Sequence, residues 1–286
     1  MTKKLEGKVA VVTGAGGTRG MGRAIAKAMA GEGAKVVVNE ISKRPDGAYG
    51  ADKVVEEITK ANGVAVANYD TVATMAGGKN IIDTAISNFG KIDILVNAAG
   101  NFMSVPTMEI TEEQWDSIQA VHVKGHFACS QAAVEHMVKQ KSGRIINFSS
   151  RGAFSGSNTA YGTAKAGVIG FTIALSNELK NHNITVNALF PRAITDLFPH
   201  ERSRGPNDHI PLPFAAGAEF VAPLVVFLAT DEASDITGQF IYAGGGDICI
   251  YPAPLKMLDG HRFIRKAGKW TVDEINEVVH PVLGLE

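Results

Sequence analysis

Short apolar runs alternate along this chain with longer segments whose apolar residues recur at helical spacing. The runs have the length of strands and lie at 8–14, 34–40, 64–70, 92–100, 143–150, 184–191 and 238–246. Helical spacing is found at 21–33, 51–63, 74–89 and 218–234, and in segments that start near Thr111 and Tyr161. Continuously apolar strands separated by helices are buried on both faces. The pattern therefore predicts an α/β fold, a single domain with a doubly wound parallel sheet, whose ligand binds outside the carboxyl ends of the strands.

Two stretches interrupt or follow this alternation. Residues 195–217 are rich in proline, glycine and charge, which is typical of a loop, and we expect them to form a substrate loop. Residues 251–286 follow the last predicted strand. We expect them to form a tail that packs on the domain at 1–250 or at a subunit interface.

The composition excludes several classes of function. The chain has 286 residues with 45% hydrophobic side chains, and its 28 basic and 29 acidic residues give no basic excess for nucleic acid. Cys129 and Cys249 lack the spacing of metal ligands or of a redox pair, so we expect no metal. No apolar run is long enough for a signal peptide or a membrane span. We expect a soluble, cytoplasmic protein without nucleic-acid or membrane partners.

The turn after the first predicted strand is rich in glycine. The stretch VVTGAGGTRGMGRAIA leaves that strand and opens the first helix, which is the context of a dinucleotide-binding turn. Glycines let the backbone approach a pyrophosphate, and the start of a helix offers free N–H groups. Gly14, Gly20, Met21 and Gly22 are therefore candidate cofactor-binding residues. The alternative is a glycine-rich turn without a ligand.

A second candidate site lies in SSRGAFSGSNTAYGTAK, which runs from Ser149 to Lys165. Tyr161 and Lys165 are four residues apart, so both lie on one face of the predicted helix. A tyrosine with its ordinary pKa of about 10 is a poor proton acceptor at neutral pH, and a nearby ammonium favours its ionised form. The pair is a candidate for proton transfer, although such pairs are also common on helix surfaces.

Four motifs together resemble the pattern of the short-chain dehydrogenase/reductase family over roughly residues 5–246. They are Thr13-Gly14 with Gly20 and Gly22, the NAAG stretch at 97–100, a serine before the Tyr161–Lys165 pair, and the P-x-x-I-T stretch at 191–195. The resemblance implies a Rossmann-type dinucleotide-binding domain that interconverts a small-molecule secondary alcohol and a ketone by hydride transfer. It also implies a homo-oligomer, either a tetramer or a dimer. Five residues separate Gly14 from Gly20, where the family usually has three.

The resemblance implies catalytic roles for Ser150, Tyr161 and Lys165. Ser150 would hold the substrate oxygen, Tyr161 would exchange the proton, and Lys165 would favour the ionised phenol and bind the nicotinamide ribose. Ser149 stays open as an alternative to Ser150, because ten residues separate Ser150 from Tyr161 where the family usually has twelve. His122 stands where the family has a catalytic asparagine, and it is a candidate for that role or a buried core histidine.

The residue after the second predicted strand indicates which dinucleotide to expect. Glu40 stands there, and a carboxylate can bond a ribose 2′-hydroxyl but repels the 2′-phosphate of NADP. The resemblance makes Arg19 a further cofactor-binding candidate, because NADP-preferring members of the family often carry a phosphate-binding arginine there. Lys43 and Arg44 lie just past Glu40 and would also favour the phosphate, and the alternative for all three cations is solvated surface charge. We expect NAD in preference to NADP. The resemblance implies further cofactor contacts at Asp70, Thr71, Asn97, Ala98, Ala99, Gly100, Tyr161, Lys165, Pro191 and Ile194.

Several stretches resemble one group within the family, whose members oxidise (3R)-hydroxyacyl-CoA thioesters with NAD. They are VVVNE, ADKVVEEI, AVANYD, VHVKGHF and EFVAPLVVFL. His200, Arg202 and Arg204 in the predicted substrate loop are candidates for binding a CoA phosphate. Two alternatives remain open: a dehydrogenase of a hydroxysteroid, cyclic or other secondary alcohol, and a nonenzymatic nucleotide-sensing protein.

Overall fold

The computed structural model describes residues 3–154, 158–198, 217–245 and 247–251, which contain eight strands and seven α-helices. The strands are β1 (Val9–Val12), β2 (Lys35–Asn39), β3 (Val64–Asn68), β4 (Ile94–Asn97), β5 (Gly143–Phe148), β6 (Ile184–Pro191), β7 (Phe240–Gly244) and β8 (Asp247–Tyr251). The helices are α1 (Met21–Gly31), α2 (Gly50–Lys60), α3 (Met75–Phe89), α4 (Glu112–Gln119), α5 (Gly125–Gln140), α6 (Thr159–Leu179) and α7 (Ala222–Leu228). Within this part of the chain, no helix is long and apolar enough to cross a lipid bilayer.

The strands form one sheet in the order β3-β2-β1-β4-β5-β6-β7-β8. Strands β1 to β7 are parallel, and in the centre Val12 of β1 is the register partner of Val38 in β2 and of Val96 in β4. The chain winds outward in one direction from β1 and in the other from β4, so the predicted doubly wound sheet is confirmed. Such a sheet binds ligands in the crevice where the winding direction changes, which here lies between the ends of β1 and β4.

Helices cover both faces of the sheet, and this explains why the central strands are apolar without interruption. In β1, Ala10 and Val12 belong to the same core cluster as residues of α1, α2 and α7. Val9 and Val11 belong to the cluster that contains residues of α3 and α5. A continuously apolar strand is thus a strand with two covered faces, as the sequence pattern predicts.

The sheet has one strand more than the sequence pattern predicts. The pattern makes 238–246 the last strand, but β8 follows it and runs antiparallel to β7 at the edge of the sheet. Ile248 and Ile250 of β8 are 63% and 67% exposed, so the strand lacks the continuous burial of the central strands β1, β4 and β5. Strand β8 ends at Tyr251, the first residue of the predicted tail, and 252–286 lie outside the described residues, so the tail stays a prediction.

Two predicted helices are divided in the structure. The segment 218–234 contains only α7 as an α-helix, with a 3-10 turn on either side. Pro223 lies in the first turn of α7 and has no N–H to donate, so the α-helix does not extend further toward residue 218. The helix predicted near Thr111 begins with a capping box formed with Gln114. It is then interrupted between α4 and α5 by a π-helical turn at Ala120–Lys124.

Candidate active site

The turn between β1 and α1 packs directly against the backbone that follows β4. Gly14 has a φ of +66°, and a Cβ atom there would lie 2.6 Å from the Cα atom of Ala99. The hydroxyl of Thr13 accepts hydrogen bonds from the backbone N–H groups of Ala98 and Ala99, at 3.0 and 3.1 Å. Only glycine fits at position 14, and the contact brings three of the predicted cofactor residues together.

The start of α1 lies against the same turn, and Gly14, Gly20 and Gly22 together form what we call the glycine cradle. A Cβ atom at Gly22 would lie 2.4 Å from the carbonyl oxygen of Gly14, so the helix approaches the turn as closely as a glycine allows. Gly20, the N-cap residue, makes no side-chain cap, and the first N–H groups of the helix, beginning at Met21, lack helical partners. A close backbone approach with unpaired helix N–H groups fits the phosphates of a dinucleotide.

Glu40 follows β2 and reaches the same turn. Its carboxylate accepts hydrogen bonds from the backbone N–H groups of Gly16, Ile41 and Ser42, at 3.3, 2.9 and 3.0 Å. A Cβ atom at Gly16 would lie 2.4 Å from the Cγ atom of Glu40. The carboxylate is therefore fixed beside the glycine turn, at the end of the second strand of the sheet.

The three cations that would favour NADP each have a partner in the structure. The pairs are Arg19 with Asp196 (3.2 Å between Nε and Oδ1), Lys43 with the ring of Tyr49 (4.9 Å from Nζ to the ring centre), and Arg44 with Asp46 (3.7 Å between Nε and Oδ2). Asp196 and Asp46 offset part of the positive charge of the two arginines, whereas the ring of Tyr49 carries no charge to offset that of Lys43.

Asp70 lies in a network of amide side chains at the ends of β2 and β3. Its carboxylate accepts hydrogen bonds from the side chains of Asn80 and Asn68, at 3.0 and 2.8 Å. Asn39 donates to the side chain of Asn68 and to the backbone carbonyl of Asp70, both at 2.8 Å. The adjacent Thr71 accepts a bond from the turn that follows it. The sequence signal for this network is weak: an asparagine ends each of two otherwise apolar strands.

Helix α6 presents Tyr161 and Lys165 on one side, one turn apart. Asn158 caps the helix by accepting a 2.9 Å hydrogen bond from the backbone N–H of Tyr161. Tyr161 and Lys165 are only 6% and 4% exposed, so they are not a solvated surface pair. The Nζ atom of Lys165 lies 5.6 Å from the centre of the Tyr161 ring and donates a 2.6 Å hydrogen bond to the carbonyl of Phe148.

Burial changes the charge state of the lysine. It lowers the pKa of Lys165 to about 7, because the surrounding protein solvates an ammonium less well than water does. Near neutral pH the side chain is therefore divided between its charged and neutral forms. A negative charge created beside it would favour the ammonium.

The two serines after β5 have different surroundings. Ser149 is buried, and its hydroxyl donates a 2.8 Å hydrogen bond to the backbone carbonyl of Lys165. Ser150 is half-buried, and its hydroxyl accepts a 3.0 Å bond from the N–H of Gly152. Ser149 thus fastens α6 to the sheet, whereas Ser150 keeps part of its surface accessible.

His122 lies in the π-helical turn and packs against the tyrosine. Its ring meets the ring of Tyr161 edge-on at 5.4 Å, and its Nε2 atom lies 2.8 Å from the carbonyl oxygen and 3.3 Å from the backbone nitrogen of Asn101. Burial, and then the charge of Lys165, lower the pKa of His122 well below its ordinary value. A Cβ atom at Gly100 would lie 2.9 Å from this ring. A neutral His122 therefore supports Tyr161 and the loop after β4.

Asn97 makes its contacts inside the sheet. Its side-chain amide donates to the side chains of Asn147 and Ser130, at 2.9 and 3.1 Å. Asn147 in turn donates to the hydroxyl of Thr172 at 3.0 Å. This buried network joins β4, β5, α5 and α6, so the amide N–H groups of Asn97 are committed to internal bonds.

The chain that leaves β6 at Pro191 crosses toward the glycine turn. Ile194 lines a cavity of about 380 Å³ together with Gly20 and with Arg23 and Ala24 of α1. Most of the predicted substrate loop, at 199–216, lies outside the described residues, and so do His200, Arg202 and Arg204.

Two phenylalanines that the sequence analysis did not single out lie beside Tyr161. The ring of Phe102 meets that of Tyr161 edge-on at 5.1 Å, and it lies 5.0 Å from the ring of Phe198. Phe198 is 6.4 Å from Tyr161. Both phenylalanines lie just beyond strand ends, in loops whose apolar residues have no periodicity to mark them.

A doubly wound sheet with a glycine cradle after β1 and a buried Tyr-x-x-x-Lys pair after β5 is the pattern of a short-chain oxidoreductase. The family model described as enoyl-(acyl carrier protein) reductase matches residues 14–247. The chain belongs to the short-chain dehydrogenase/reductase family, whose members bind a nicotinamide dinucleotide.

Relatives and solved structures cover most of the chain. Over 248 residues it is 38% identical to the mouse (Mus musculus) peroxisomal multifunctional enzyme type 2, covering 85% of this chain and 32% of that enzyme. Over 249 residues it is 36% identical to the 3-oxoacyl-(acyl-carrier-protein) reductase of Thermotoga maritima, covering 85% and 98%. A short chain dehydrogenase from Mycobacterium avium has a crystal structure with a TM-score of 0.85 at 37% identity, covering 98% and 96%. The chain therefore spans about a third of the multifunctional enzyme.

The lowered pKa of Lys165 predicts a pH-dependent stability. Between about pH 7 and about pH 10 the folded protein binds fewer protons at this lysine than the unfolded chain does, because an unfolded lysine has a pKa near 10.4. The free energy of unfolding of the wild type should therefore rise with pH across that window. Lys165→Met removes the titrating group and should remove this part of the pH dependence. Urea unfolding at pH 7 and pH 9.5 measures it. Lys180→Met, at the exposed C-cap of α6, is the control. If the free energy of unfolding depends on pH in the same way in wild type and Lys165→Met, the prediction is contradicted.

Proposed function

We propose that the protein is an NAD-dependent dehydrogenase that interconverts a secondary alcohol and a ketone, with a 3-hydroxyacyl thioester as its substrate. The observation that carries the proposal is the buried Tyr161–Lys165 pair, whose lysine is held by the carbonyl of Phe148. Binding a nucleotide requires the glycine cradle alone. A buried phenol next to a buried amine is needed for proton transfer, which favours an enzyme over a nucleotide-sensing protein.

The residues of the crevice fit a dinucleotide. Gly14, Gly20 and Gly22 would hold the pyrophosphate against the start of α1, Glu40 would bond the adenosine ribose, and Asp70 the adenine amino group. When bound, the nicotinamide accepts a hydride from the alcohol carbon or returns one to the ketone. The fixed carboxylate of Glu40 supports NAD, because bringing a phosphate dianion beside it would be unfavourable.

The side chains around Tyr161 would move one proton. Tyr161, as a phenolate, takes the hydroxyl proton of the alcohol as the carbon–hydrogen bond breaks, and in the reverse direction it returns that proton to the ketone oxygen. The hydroxyl of Ser150 holds the same substrate oxygen. The ammonium of Lys165 favours the phenolate by its charge. Neutral His122 keeps the tyrosine ring in place by its edge contact at 5.4 Å.

The relatives and the aromatic rings support an apolar acyl substrate. One relative is named for a 3-oxoacyl group, and the sequence resembles (3R)-hydroxyacyl-CoA dehydrogenases. Phe102, which packs on Tyr161 and Phe198, gives the site an apolar wall. The same wall would accept a hydroxysteroid or a cyclic alcohol, which is the second candidate class. A homo-oligomer and a cytoplasmic location stay predictions of the sequence.

A substrate screen tests the proposal. The protein would be incubated with 3-hydroxyacyl-CoA thioesters, hydroxysteroids and cyclic alcohols, each with NAD and with NADP, and reduced nicotinamide would be followed by its absorbance. We expect reduction of NAD with a hydroxyacyl thioester. Reduction with steroids or cyclic alcohols alone would replace the first substrate class by the second, and no reduction with any of them would contradict the enzyme proposal.

Glu40→Ala should relax the choice of dinucleotide. Removing the carboxylate takes away both the ribose bond and the repulsion of a 2′-phosphate, so the preference for NAD over NADP should fall about tenfold or more. Calorimetric titration with the two dinucleotides measures the change. Glu135→Ala, on the exposed side of α5, is the control. An unchanged preference in Glu40→Ala would show that other groups set it.

The two serines should differ in what their loss affects. Ser150→Ala should lower turnover about a hundredfold or more, because it removes the hydroxyl that holds the reacting oxygen, while dinucleotide binding stays near normal. Ser149→Ala loses its bond to the Lys165 carbonyl and should mainly lower stability. The measurements are turnover, NAD affinity and melting temperature of both variants. A larger loss of turnover in Ser149→Ala than in Ser150→Ala would show that Ser149 holds the substrate oxygen.

Tyr161→Phe keeps the ring and its packing and removes only the ionisable oxygen. Turnover should fall by roughly 10²–10⁴ if Tyr161 is the general base, while NAD binding survives because Lys165 and the glycine turn are intact. The measurements are steady-state rates and NAD affinity. Tyr69→Phe is the matched control, since it deletes a phenol oxygen that bonds Asp52 at the surface. A folded Tyr161→Phe protein with near wild-type turnover would refute the mechanism.

A further inference from the structure

Asp196 joins the segment after β6 to the glycine turn. Its Oδ2 atom accepts a 2.8 Å hydrogen bond from the backbone N–H of Arg19, and its Oδ1 atom accepts one from the Arg19 Nε at 3.2 Å. Partial burial raises the pKa of Asp196, but the bonds from Arg19 and the backbone of Thr18 lower it by more, so the pKa ends below its ordinary value. An ionised carboxylate therefore holds both the backbone and the guanidinium of Arg19.

Arg19 belongs to the same turn that contacts Glu40. Gly16, three residues before Arg19, donates its backbone N–H to the Glu40 carboxylate at 3.3 Å. Under the proposed function, Glu40 faces the adenosine ribose, and NADP differs from NAD by a phosphate on that ribose. A guanidinium is the side chain best suited to bind a phosphate, because it presents several donors in a planar fork. A free Arg19 would therefore favour NADP.

We propose that Asp196 sets the dinucleotide preference by withholding Arg19 from the 2′-phosphate. The proposal rests on the proposed function, since it concerns the same cofactor site. Asp196 engages the Nε of the guanidinium and adds a negative charge next to it, and both effects oppose a phosphate at this position. Asp196 is a positioning residue, because it acts on the cofactor through Arg19.

The other two cations are held by looser contacts. Lys43 is exposed and lies 4.9 Å from the centre of the Tyr49 ring. Arg44 is 3.7 Å from Asp46, which is beyond hydrogen-bond distance. Among these three cations in the described part of the chain, Arg19 is the one whose partner bonds both its backbone and its side chain. Its release should therefore change the preference most.

Asp196→Asn tests the proposal. The amide keeps the size of the side chain and an oxygen that can accept the backbone N–H of Arg19, but it removes the charge. Dissociation constants for NAD and NADP would be measured by calorimetry on the full chain. We expect NADP to bind about three- to tenfold more tightly than to wild type, with NAD changed less than about twofold. Adding Arg19→Gln to Asp196→Asn should abolish the gain, because the released guanidinium is its source.

The controls separate this effect from a general change of charge. Glu232→Gln makes the same change in net charge at the exposed pair with Lys4, whose atoms lie 2.6 Å apart, and should leave both constants unchanged. An equal gain for NAD and NADP in Asp196→Asn, a gain that persists in the double variant, or no gain at all would overturn the proposal. A wild-type protein that binds neither dinucleotide would instead contradict the proposed function.

A second variant keeps the test decisive if Asp196→Asn does not fold. Arg19→Gln in the wild-type background should leave NADP affinity within about twofold, because a guanidinium that is withheld contributes little to binding. A tenfold loss of NADP affinity in this variant would overturn the proposal.

Discussion

The site depends on the direct contact of two backbones. At Gly14 a side chain of any size would collide with Ala99, so the ends of β1 and β4 meet without side chains between them. The hydroxyl of Thr13 accepts two N–H groups across this contact and joins the two strands from which the chain winds in opposite directions. The start of α1 packs on the same turn at Gly22, and Gly100, in the loop after β4, packs on His122. The glycine turn and the surroundings of His122 are therefore joined through this one backbone contact.

Polar bonds and apolar packing together hold the first turns of α6, where Ala160 and Ala164 are buried. Asn158 caps the helix, Ser149 bonds the Lys165 carbonyl, and the lysine side chain bonds the carbonyl of Phe148. Directional bonds of this kind fix a helix in one position, whereas apolar contacts tolerate sliding. β5 and the loop after it therefore position the start of α6, while His122 and Phe102 contact the Tyr161 ring itself. The cost is a buried amine whose charge is unstable near neutral pH.

The sequence predicts features that are local and misses those that join distant segments. The glycine turn, Glu40 and the Tyr161–Lys165 pair are encoded in short motifs next to apolar runs, and the doubly wound sheet follows from the strands' burial on both faces. The pattern does not predict β8, because this strand follows β7 directly, without the helix that precedes each of β2 to β7, and its isoleucines are exposed. The bond from Asp196 to Arg19 spans 177 positions, and no local pattern marks it.

The π-helical turn at Ala120–Lys124 has a consequence for how this site can change over evolutionary time. The turn holds one residue more than an α-helix would. Deleting that one residue would rotate all of α5 by about 100° relative to α4. The side that α5 buries, which includes Cys129, Ala133 and Met137, would then leave the sheet. A substitution at His122 alters one side chain and can be reversed in a single step. Removing the inserted residue would instead displace the whole buried side of α5 at once, so it is a more costly change than a substitution at His122.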